Sequence, residues 1–387
     1  MERSVMNKVF RINREKVYIS GFFLSVLLIF IPSSINAAVT GECSNCHTMH
    51  NSQNAASMNL GKTIGIGSYG SDCLDCHGAN RAVLLRMDCL GCHAWDINGT
   101  SNIVPNNMPQ VAHSAATDLS AGNFKDVIDM GDSYGHNVHG FKEDIPTDNE
   151  LFNTPPGYNS FYDPSSGGYE DTSAGQILCA GQNGCHGNRN EVSLITAIRG
   201  THHADDTILK FGAGFTESGQ GDTVGKSYRY LYKVHGAEDS DWRATSSTDH
   251  NEYKGGTTHS TSQSWSTIDT ISEFCSECHG DFHSSTGIGT SSPWLRHPTD
   301  VTLPGNGEEY TGYTTYSDTA PVARQSIANG TTQASSTVTT GSSGDIVMCL
   351  SCHRAHASQY YKIMRWDYKG WPTSGTNGCA VCHTSKN

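Results

Sequence analysis

Hydrophobic residues follow a helical spacing in only a few short stretches of this chain of 387 residues. Helices are predicted from this pattern at Leu84–Trp95, Glu191–Arg199 and Met348–Trp366. Turn-forming runs interrupt the chain elsewhere, at Pro155–Tyr158, Ser165–Gly168 and Asn306–Gly312. A Ser/Thr/Gly tract at Gly330–Gly344 is interpreted as a surface loop, with a decorated or edge-strand segment as the alternative. We therefore expect a fold of mostly coil and turns, with a few short α-helices and minor β-structure.

The main apolar run lies near the N-terminus, from Val17 to Ile31. Basic residues precede it and small residues follow it up to Ala37, an order that is typical of a secretory signal peptide. The run has about 15 residues, whereas a membrane-spanning helix needs about 20. We predict that residues 1–37 are cleaved and that the mature chain has no stable membrane span. An uncleaved membrane anchor is the alternative.

Composition limits both the core and the partners of the chain. Only 36% of the residues are hydrophobic, so side chains alone would form a thin core. Without residues 1–37 the chain has 20 Lys and Arg against 36 Asp and Glu, a net charge of −16. Such a surface repels nucleic acid, which excludes a nucleic-acid partner.

The fourteen cysteines form seven pairs, and a histidine directly follows the second cysteine of each pair. Six pairs have the spacing C-x-x-C-H, which is the attachment signature of a c-type haem. Two thiols at this spacing form thioethers to one haem, and the histidine ligates its iron. We predict seven covalent haem c groups, each with an iron, at Cys43, Cys46 and His47; Cys73, Cys76 and His77; Cys89, Cys92 and His93; Cys179, Cys185 and His186; Cys275, Cys278 and His279; Cys349, Cys352 and His353; and Cys379, Cys382 and His383.

The pair at Cys179 and Cys185 departs from the motif, because five residues separate the two cysteines. Gly181 and Gly184 lie between them and would let the additional residues bulge outward. A disulfide between the two cysteines is the alternative at this site. For the other six sites, a disulfide framework or a zinc site does not explain a histidine after every second cysteine. The bound haems would supply the apolar surface that the side chains lack.

Twelve further histidines are present, more than the seven needed to give every iron a second histidine ligand. Bis-histidine ligation, which leaves the iron without an open position, is therefore the expectation. The predicted second ligands are His50, His136, His203, His250, His283, His297 and His356. The alternatives are His139 for His136, His202 for His203 and His235 for His250, and His113 and His259 complete the set.

Three of these predicted ligands follow closely after a haem-site histidine. His50 and His356 lie three residues after His47 and His353, and His283 lies four residues after His279. Residues at this spacing share one face of a helical turn. Because the two ligands of one iron must approach from opposite faces of the haem, each of the three is predicted to ligate a different haem from its neighbour.

Several short motifs resemble those of the large exported multihaem c-type cytochromes of metal-respiring and sulfur-respiring bacteria. They are C-x-x-C-H-T-M-H at Cys43–His50, G-H-N-V at Gly135–Val138, S-P-W-L-R-H-P-T-D at Ser292–Asp300 and C-L-S-C-H-R-A-H at Cys349–His356. Some members of this group polymerise into extracellular filaments with a continuous chain of haems. The resemblance implies a haem-cored fold and export to the cell surface or beyond, with the periplasm as the alternative.

We predict electron transfer without enzymatic activity, between other redox proteins or copies of the same chain and an extracellular electron acceptor. The alternative is a multihaem reductase of a small nitrogen or sulfur oxyanion, which would need one iron with an open position. Residues 38–387 are predicted to form a single haem-cored unit. Within it lie an N-terminal haem cluster (38–120), a central part (121–300) and a C-terminal haem pair (301–387).

Overall fold

The structure is a computed structural model. It describes residues 52–53, 56–57, 89–95, 109–114, 118–138, 141, 155–158, 177–192, 194–199, 201–203, 223–239, 242–257, 268–283, 297–305, 307–327, 334–375 and 377–385. The predicted signal peptide, the His47 and His77 sites and the histidines His50, His139 and His259 lie outside the described residues.

Regular elements are short throughout the described ranges. The α-helices are α1 (Leu90–His93), α2 (Lys125–Met130), α3 (Leu194–Ala197), α4 (Ile271–His279) and α5 (Glu308–Thr311). The strands pair two by two: β1 (Ser52–Gln53) with β2 (Ala56–Ser57), β3 (Ala94–Trp95) with β4 (Ala112–His113), β5 (Leu178–Ala180) with β6 (Gly184–His186), β7 (Gly236–Ala237) with β8 (Glu252–Tyr253), and β9 (Val301–Thr302) with β10 (Ile346–Val347). Single 3-10 turns occur at Asp132–Tyr134, Thr201–His203, Val224–Lys226, Tyr228–Tyr230, Gly280–Phe282, Cys349–Ser351, Tyr361–Ile363 and Gly378–Val381.

The predicted fold class, mostly coil with a few short helices and minor strands, is confirmed. No helix in the described ranges is both long and apolar enough to cross a membrane.

The predicted helices are shorter than expected or absent. Within Glu191–Arg199 only α3 is helical, and α1 ends at His93 because the chain continues directly into β3. The helix predicted over Met348–Trp366 is wrong. There the chain reverses, so that His353 forms an antiparallel bridge with Met364, and Lys362 and Ile363 have positive φ angles of 60° and 59°. These φ angles are incompatible with an α-helix.

The longest described helix, α4, was not predicted. Thr270 caps it by accepting a hydrogen bond from the Glu273 N–H at 3.1 Å. The Glu273 carboxylate accepts in return from the Thr270 N–H at 3.3 Å, which completes a capping box. This local signature, T-x-x-E before an apolar residue, is readable in the sequence. It fixes where the turn that carries Cys275, Cys278 and His279 begins.

Buried side chains form separate small clusters. One lies around α1, α2 and the first half of the chain; its members are Leu90, Ala94, Ala112, Phe124, Val127, Val138, Phe141 and Ala357. Two other clusters lie around the strand pairs of the second half. The members of one include Val234, Ile271, Ile346 and Met348. The members of the other include Leu303, Tyr316, Val322 and Val338. The division into several clusters agrees with the thin core expected from composition.

The segment after the His353 site is held between two distant parts of the chain. The His356 N–H donates to the Ala121 carbonyl at 2.7 Å, and the His356 carbonyl accepts from the His136 N–H at 3.0 Å. Ala357 bridges Gly122 on one side and Gly135 on the other. Residues 121–136 and 353–358 therefore form one packed layer, which fixes the backbones of His136 and His356.

Replacing Gly122 by alanine is expected to destabilise this layer. Gly122 has a φ of +89°, and a Cβ there would overlap the Ala357 carbonyl oxygen. Gly131 has a similar φ of +98° but no atom within 4 Å of its Cβ position, so Gly131→Ala is the matched control for backbone strain alone. We expect Gly122→Ala to lower the free energy of unfolding by about 1–3 kcal/mol more than Gly131→Ala does, which is the range for overpacking. The comparison is made by chemical denaturation, and equal losses in the two variants would contradict the assigned contact.

Candidate haem-binding sites

The described C-x-x-C-H sites are each built on a single helical turn. In three of them the histidine N–H donates to the carbonyl of the first cysteine: His93 to Cys89 at 2.9 Å, His353 to Cys349 at 3.1 Å and His383 to Cys379 at 2.9 Å. The fourth, at His279, is the last turn of α4. Residues three and four apart lie on one face of such a turn. The backbone of each site therefore places the first cysteine and the histidine on one face of a turn.

The His186 site uses two parallel strands instead. Leu178 pairs with Gly184 and Ala180 pairs with His186, and the residues between them form a tight loop in which Gly181 has a φ of +83°. A Cβ on Gly184 would lie 2.6 Å from backbone atoms of Ala180. Both glycines are therefore required by the loop, as the interpretation of the spacing expects.

Each described haem-site histidine has its Nδ1 atom next to a protein acceptor. The acceptors are the carbonyl oxygens of Pro109 for His93 at 2.7 Å, Arg229 for His186 at 2.9 Å, Pro156 for His279 at 2.7 Å and Lys362 for His353 at 3.1 Å, and the carboxylate of Glu309 for His383 at 2.5 Å. Metal-ligating histidines almost always donate their second ring N–H in this way, which fixes the tautomer and leaves Nε2 for the metal. With Nε2 as the ligand atom, Nδ1 carries the proton and donates.

Four of these five histidines face a second histidine ring. The ring centroids are 6.2 Å apart for His93 and His202, 6.2 Å for His279 and His136, 6.3 Å for His186 and His356, and 6.1 Å for His383 and His297. With a metal–nitrogen bond of about 2.0 Å and a nitrogen about 1.1 Å from its ring centroid, two imidazoles on opposite sides of one metal ion have centroids about 6 Å apart. The four pairs fit one iron each. His353 is not matched at this spacing to a histidine of the described residues.

Two of the facing histidines show the same Nδ1 arrangement as their partners. Nδ1 of His136 lies 2.8 Å from the Ala355 carbonyl oxygen, and Nδ1 of His297 lies 2.8 Å from the Pro298 carbonyl oxygen. In these pairs both rings are therefore oriented by a backbone carbonyl or a carboxylate.

The buried rings are held neutral, which is the form that binds a metal. Burial lowers the pKa of His136, of His186 and of His353. Burial, followed by the nearby His136, lowers the pKa of His279 to about 4. Burial, followed by His186 and His136, lowers the pKa of His356 to about 3.

Other predicted ligands have different surroundings. His283 is buried and its Nε2 lies 2.8 Å from the Asp300 carboxylate. His250 is also buried, stacks on Tyr316 with ring centroids 3.4 Å apart, and has its Nε2 3.5 Å from Glu252. Neither is paired in this way with one of the described haem-site histidines. The side chain of His203 lies outside the described part of the structure, whereas its neighbour His202 faces His93.

Neighbouring sites follow one another in chain order. The His93 ring is close enough to His186 to contribute, after burial, to the lowered pKa of His186. A buried ion pair between Arg189 and Glu277 connects the His186 site with α4, which carries the His279 site. The first three described sites are therefore adjacent in the order His93, His186, His279.

The His353 and His383 sites follow next in the C-terminal part of the chain. The side chains of Cys275 and Cys349, the first cysteines of the His279 and His353 sites, contact each other. Burial, followed by the nearby Cys382 and Cys379, raises the pKa of Cys352 to about 12. The five described sites thus form a series from His93 to His383.

The acceptors of the Nδ1 atoms were not found from the sequence. Four are backbone carbonyls, which carry no side-chain signature, and they come from segments far from the histidines that they orient. Glu309 is the acidic member, 74 residues before His383. No pattern in the sequence connects it with the last haem site.

Comparison with known proteins supports haem attachment at the cysteine motifs. A family model described as "Doubled CXXCH motif" matches residues 342–387. The chain is 25% identical to the C-type cytochrome OmcS of Geobacter sulfurreducens over 415 aligned positions, which cover 94% of this chain and 88% of the relative. The resemblance to multihaem c-type cytochromes predicted from the motifs is confirmed. The motifs and this similarity support covalent haem c with iron.

Two solved structures are also similar to the chain. They are entitled "Cryo-EM of the OmcS nanowires from Geobacter sulfurreducens", with a TM-score of 0.37 and 20% identity, and "Outer Membrane Cytochrome S Filament from Geobacter Sulfurreducens", with a TM-score of 0.34 and 18% identity. Each match covers 86% of this chain and 85% of the other.

Proposed function

We propose that the chain is an exported, non-enzymatic electron carrier that relays electrons along seven covalently held haem c groups with bis-histidine iron. Haem c supplies a one-electron iron centre when it is bound. The observation that carries the proposal is the set of four histidine pairs with centroids 6.1–6.3 Å apart. Such a pair would supply both of the ligands that an iron takes from the protein when haem is bound. It leaves no position for a substrate, which favours electron transfer over the alternative of a reductase.

The chain's own residues hold the haem-binding positions in a fixed series. The pairs assign His202 as the second ligand opposite His93, His136 opposite His279, His356 opposite His186 and His297 opposite His383. In this proposal His202 takes the role that was predicted for His203. His356 follows the His353 site by three residues and faces the His186 site, so one turn of chain connects two sites. This is the arrangement expected from the spacing of the two histidines.

The remaining assignments are also part of the proposal. The second ligand of His353 and those of the His47 and His77 sites come from the other histidines predicted above, apart from His203, and His50 is among them. We propose that residues 38–387 form one haem-cored unit, because hydrogen bonds connect residues 121–136 with residues 353–358 across the predicted boundaries. Export rests on the signal-like segment 1–37 and on the similarity to an outer-surface class of cytochromes.

Replacing His202 by alanine is expected to convert one haem from low-spin to high-spin ferric iron, because the iron opposite His93 loses its second imidazole. His203→Ala is the matched control, since it removes the same side chain one residue away and should leave all iron low-spin. Electron paramagnetic resonance of the oxidised protein measures the spin states. A high-spin signal in the unmodified protein would support the reductase instead. A high-spin signal in His203→Ala and not in His202→Ala would reverse the assignment.

The number of haems is tested by the intact mass of the mature protein, which should equal the polypeptide from residue 38 plus seven haems. Replacing both Cys179 and Cys185 by serine should remove the mass of one haem if the longer loop attaches one. The same double replacement at Cys379 and Cys382 is the reference for losing one site. An unchanged haem content in the Cys179 and Cys185 variant would show that this site carries no covalent haem.

We also propose that copies of the chain pass electrons to one another end to end. The last site supports this, because Cys379 is exposed and the His383 side chain is 26% exposed, so a haem held there would reach the surface. Filaments are the expected result when the secreted fraction is viewed by negative-stain microscopy. A field of single monodisperse particles at all concentrations would contradict end-to-end assembly.

A further inference from the structure

The His383 site differs from the other described sites in the group that accepts its Nδ1 proton. At the His93, His186, His279 and His353 sites the acceptor is a neutral backbone carbonyl. At His383 it is the carboxylate of Glu309, with Nδ1 and Oε1 2.5 Å apart. Hydrogen bonds to an ionised acceptor are shorter and roughly twice as strong as neutral ones.

The backbone of Glu309 is held by the residue that directly follows the histidine. The Thr384 N–H donates to the Glu309 carbonyl at 2.6 Å, and the Thr384 hydroxyl donates to the same oxygen at 2.9 Å. The ring of Tyr310, the next residue of α5, lies 5.1 Å from the His383 ring. Both Glu309 and His383 side chains are about a quarter exposed. The pair is therefore an ordered feature of the site and not a chance approach of two surface side chains.

The other imidazole of the same pair has an ordinary acceptor. Nδ1 of His297 lies 2.8 Å from the carbonyl oxygen of Pro298. Only one of the two rings at this site therefore faces a negative charge among its described partners. Any effect of the carboxylate on an iron between the rings would act through His383.

We propose that Glu309 is a positioning residue that lowers the reduction potential of the haem held by His383. Partial transfer of the Nδ1 proton toward the carboxylate makes the imidazole a stronger donor through Nε2. A stronger donor stabilises ferric over ferrous iron, and second-shell hydrogen bonding is one of the protein's means of setting a haem potential. This inference rests on the proposed function, because it requires a haem at the His383 site.

Redox titration of the complete holoprotein tests the effect. Glu309→Gln keeps the length and an acceptor oxygen but removes the charge. One component of the titration should move to higher potential while the others stay in place. We expect about a tenfold change in the reduction equilibrium of that haem, the lower end of the effects of outer partners, which corresponds to about 59 mV for one electron. Its low-spin electron paramagnetic resonance signal should move as well, because the ligand field of one imidazole changes.

Asp129→Asn is the control, since it removes an exposed carboxylate whose partner is Lys125 and not a histidine. The proposal would be overturned if no component of the redox titration moved in Glu309→Gln, or if the potential shifted equally in Asp129→Asn. Loss of the haem or a high-spin signal in Glu309→Gln would overturn it too, because Glu309 would then be a structural requirement and not a tuning group. The unmodified protein separates these results from a failure of the proposed function, which would already show there as a missing or high-spin haem.

Discussion

At the five described haem-site histidines, and at His136 and His297, the two imidazole nitrogens have separate tasks, and the rest of the structure depends on this division. Nδ1 lies next to an acceptor supplied by the protein, which leaves Nε2 available for a metal. The distance between the two rings of a pair is then set by the backbones that carry them and by the backbones that carry the acceptors. For the pair of His279 and His136, four segments of chain must therefore be held together, because the acceptors Pro156 and Ala355 lie far from both rings in the sequence. This demand explains why so much of the chain is irregular backbone fixed by hydrogen bonds.

Buried charged groups contribute to the same fixation. The Arg324 guanidinium contacts the carboxylates of Glu252 and Asp345, and it also donates to the carbonyl oxygens of Ser335 and Thr337. Arg365 donates to the carbonyl oxygens of Leu350 and Asp318. Charged donors on carbonyls replace the regular ladders that helices and sheets would provide. Because the described elements and apolar clusters are small, such side chains add connections between segments that are far apart in the sequence.

The sequence predicted the covalent attachment of haem better than it predicted the second ligands and the backbone around each site. Covalent attachment is local, because two cysteines and a histidine within five residues are sufficient for it, and the class of protein followed from that. The second ligands depend on tertiary packing. The rings of His136 and His297, which were predicted as second ligands, lie 6.2 Å from His279 and 6.1 Å from His383. At Thr201–His203, a single 3-10 turn places His202 next to His93, and periodicity cannot resolve the choice between His202 and His203. The helix expected at Met348–Trp366 failed for the same reason, since the carbonyl of Lys362 is needed as the acceptor for His353.

One backbone segment carries residues of two sites, and it therefore sets the spacing of the proposed haems. His356 belongs to the segment that follows Cys352 and His353, yet its ring faces His186. If these histidines ligate iron as proposed, three residues of backbone separate a ligand of one iron from a ligand of the next. Residues 121–136 hold that backbone on both sides. A shift of one site relative to the other would break the hydrogen bonds at Ala121 and His136 as well as the ligand geometry. Because interfaces of this kind are packed and not continuously deformable, the distance between neighbouring haems is a property of the fold itself. Electron transfer depends steeply on that distance, so the layer that holds Ala357 serves the proposed function as directly as the ligands do.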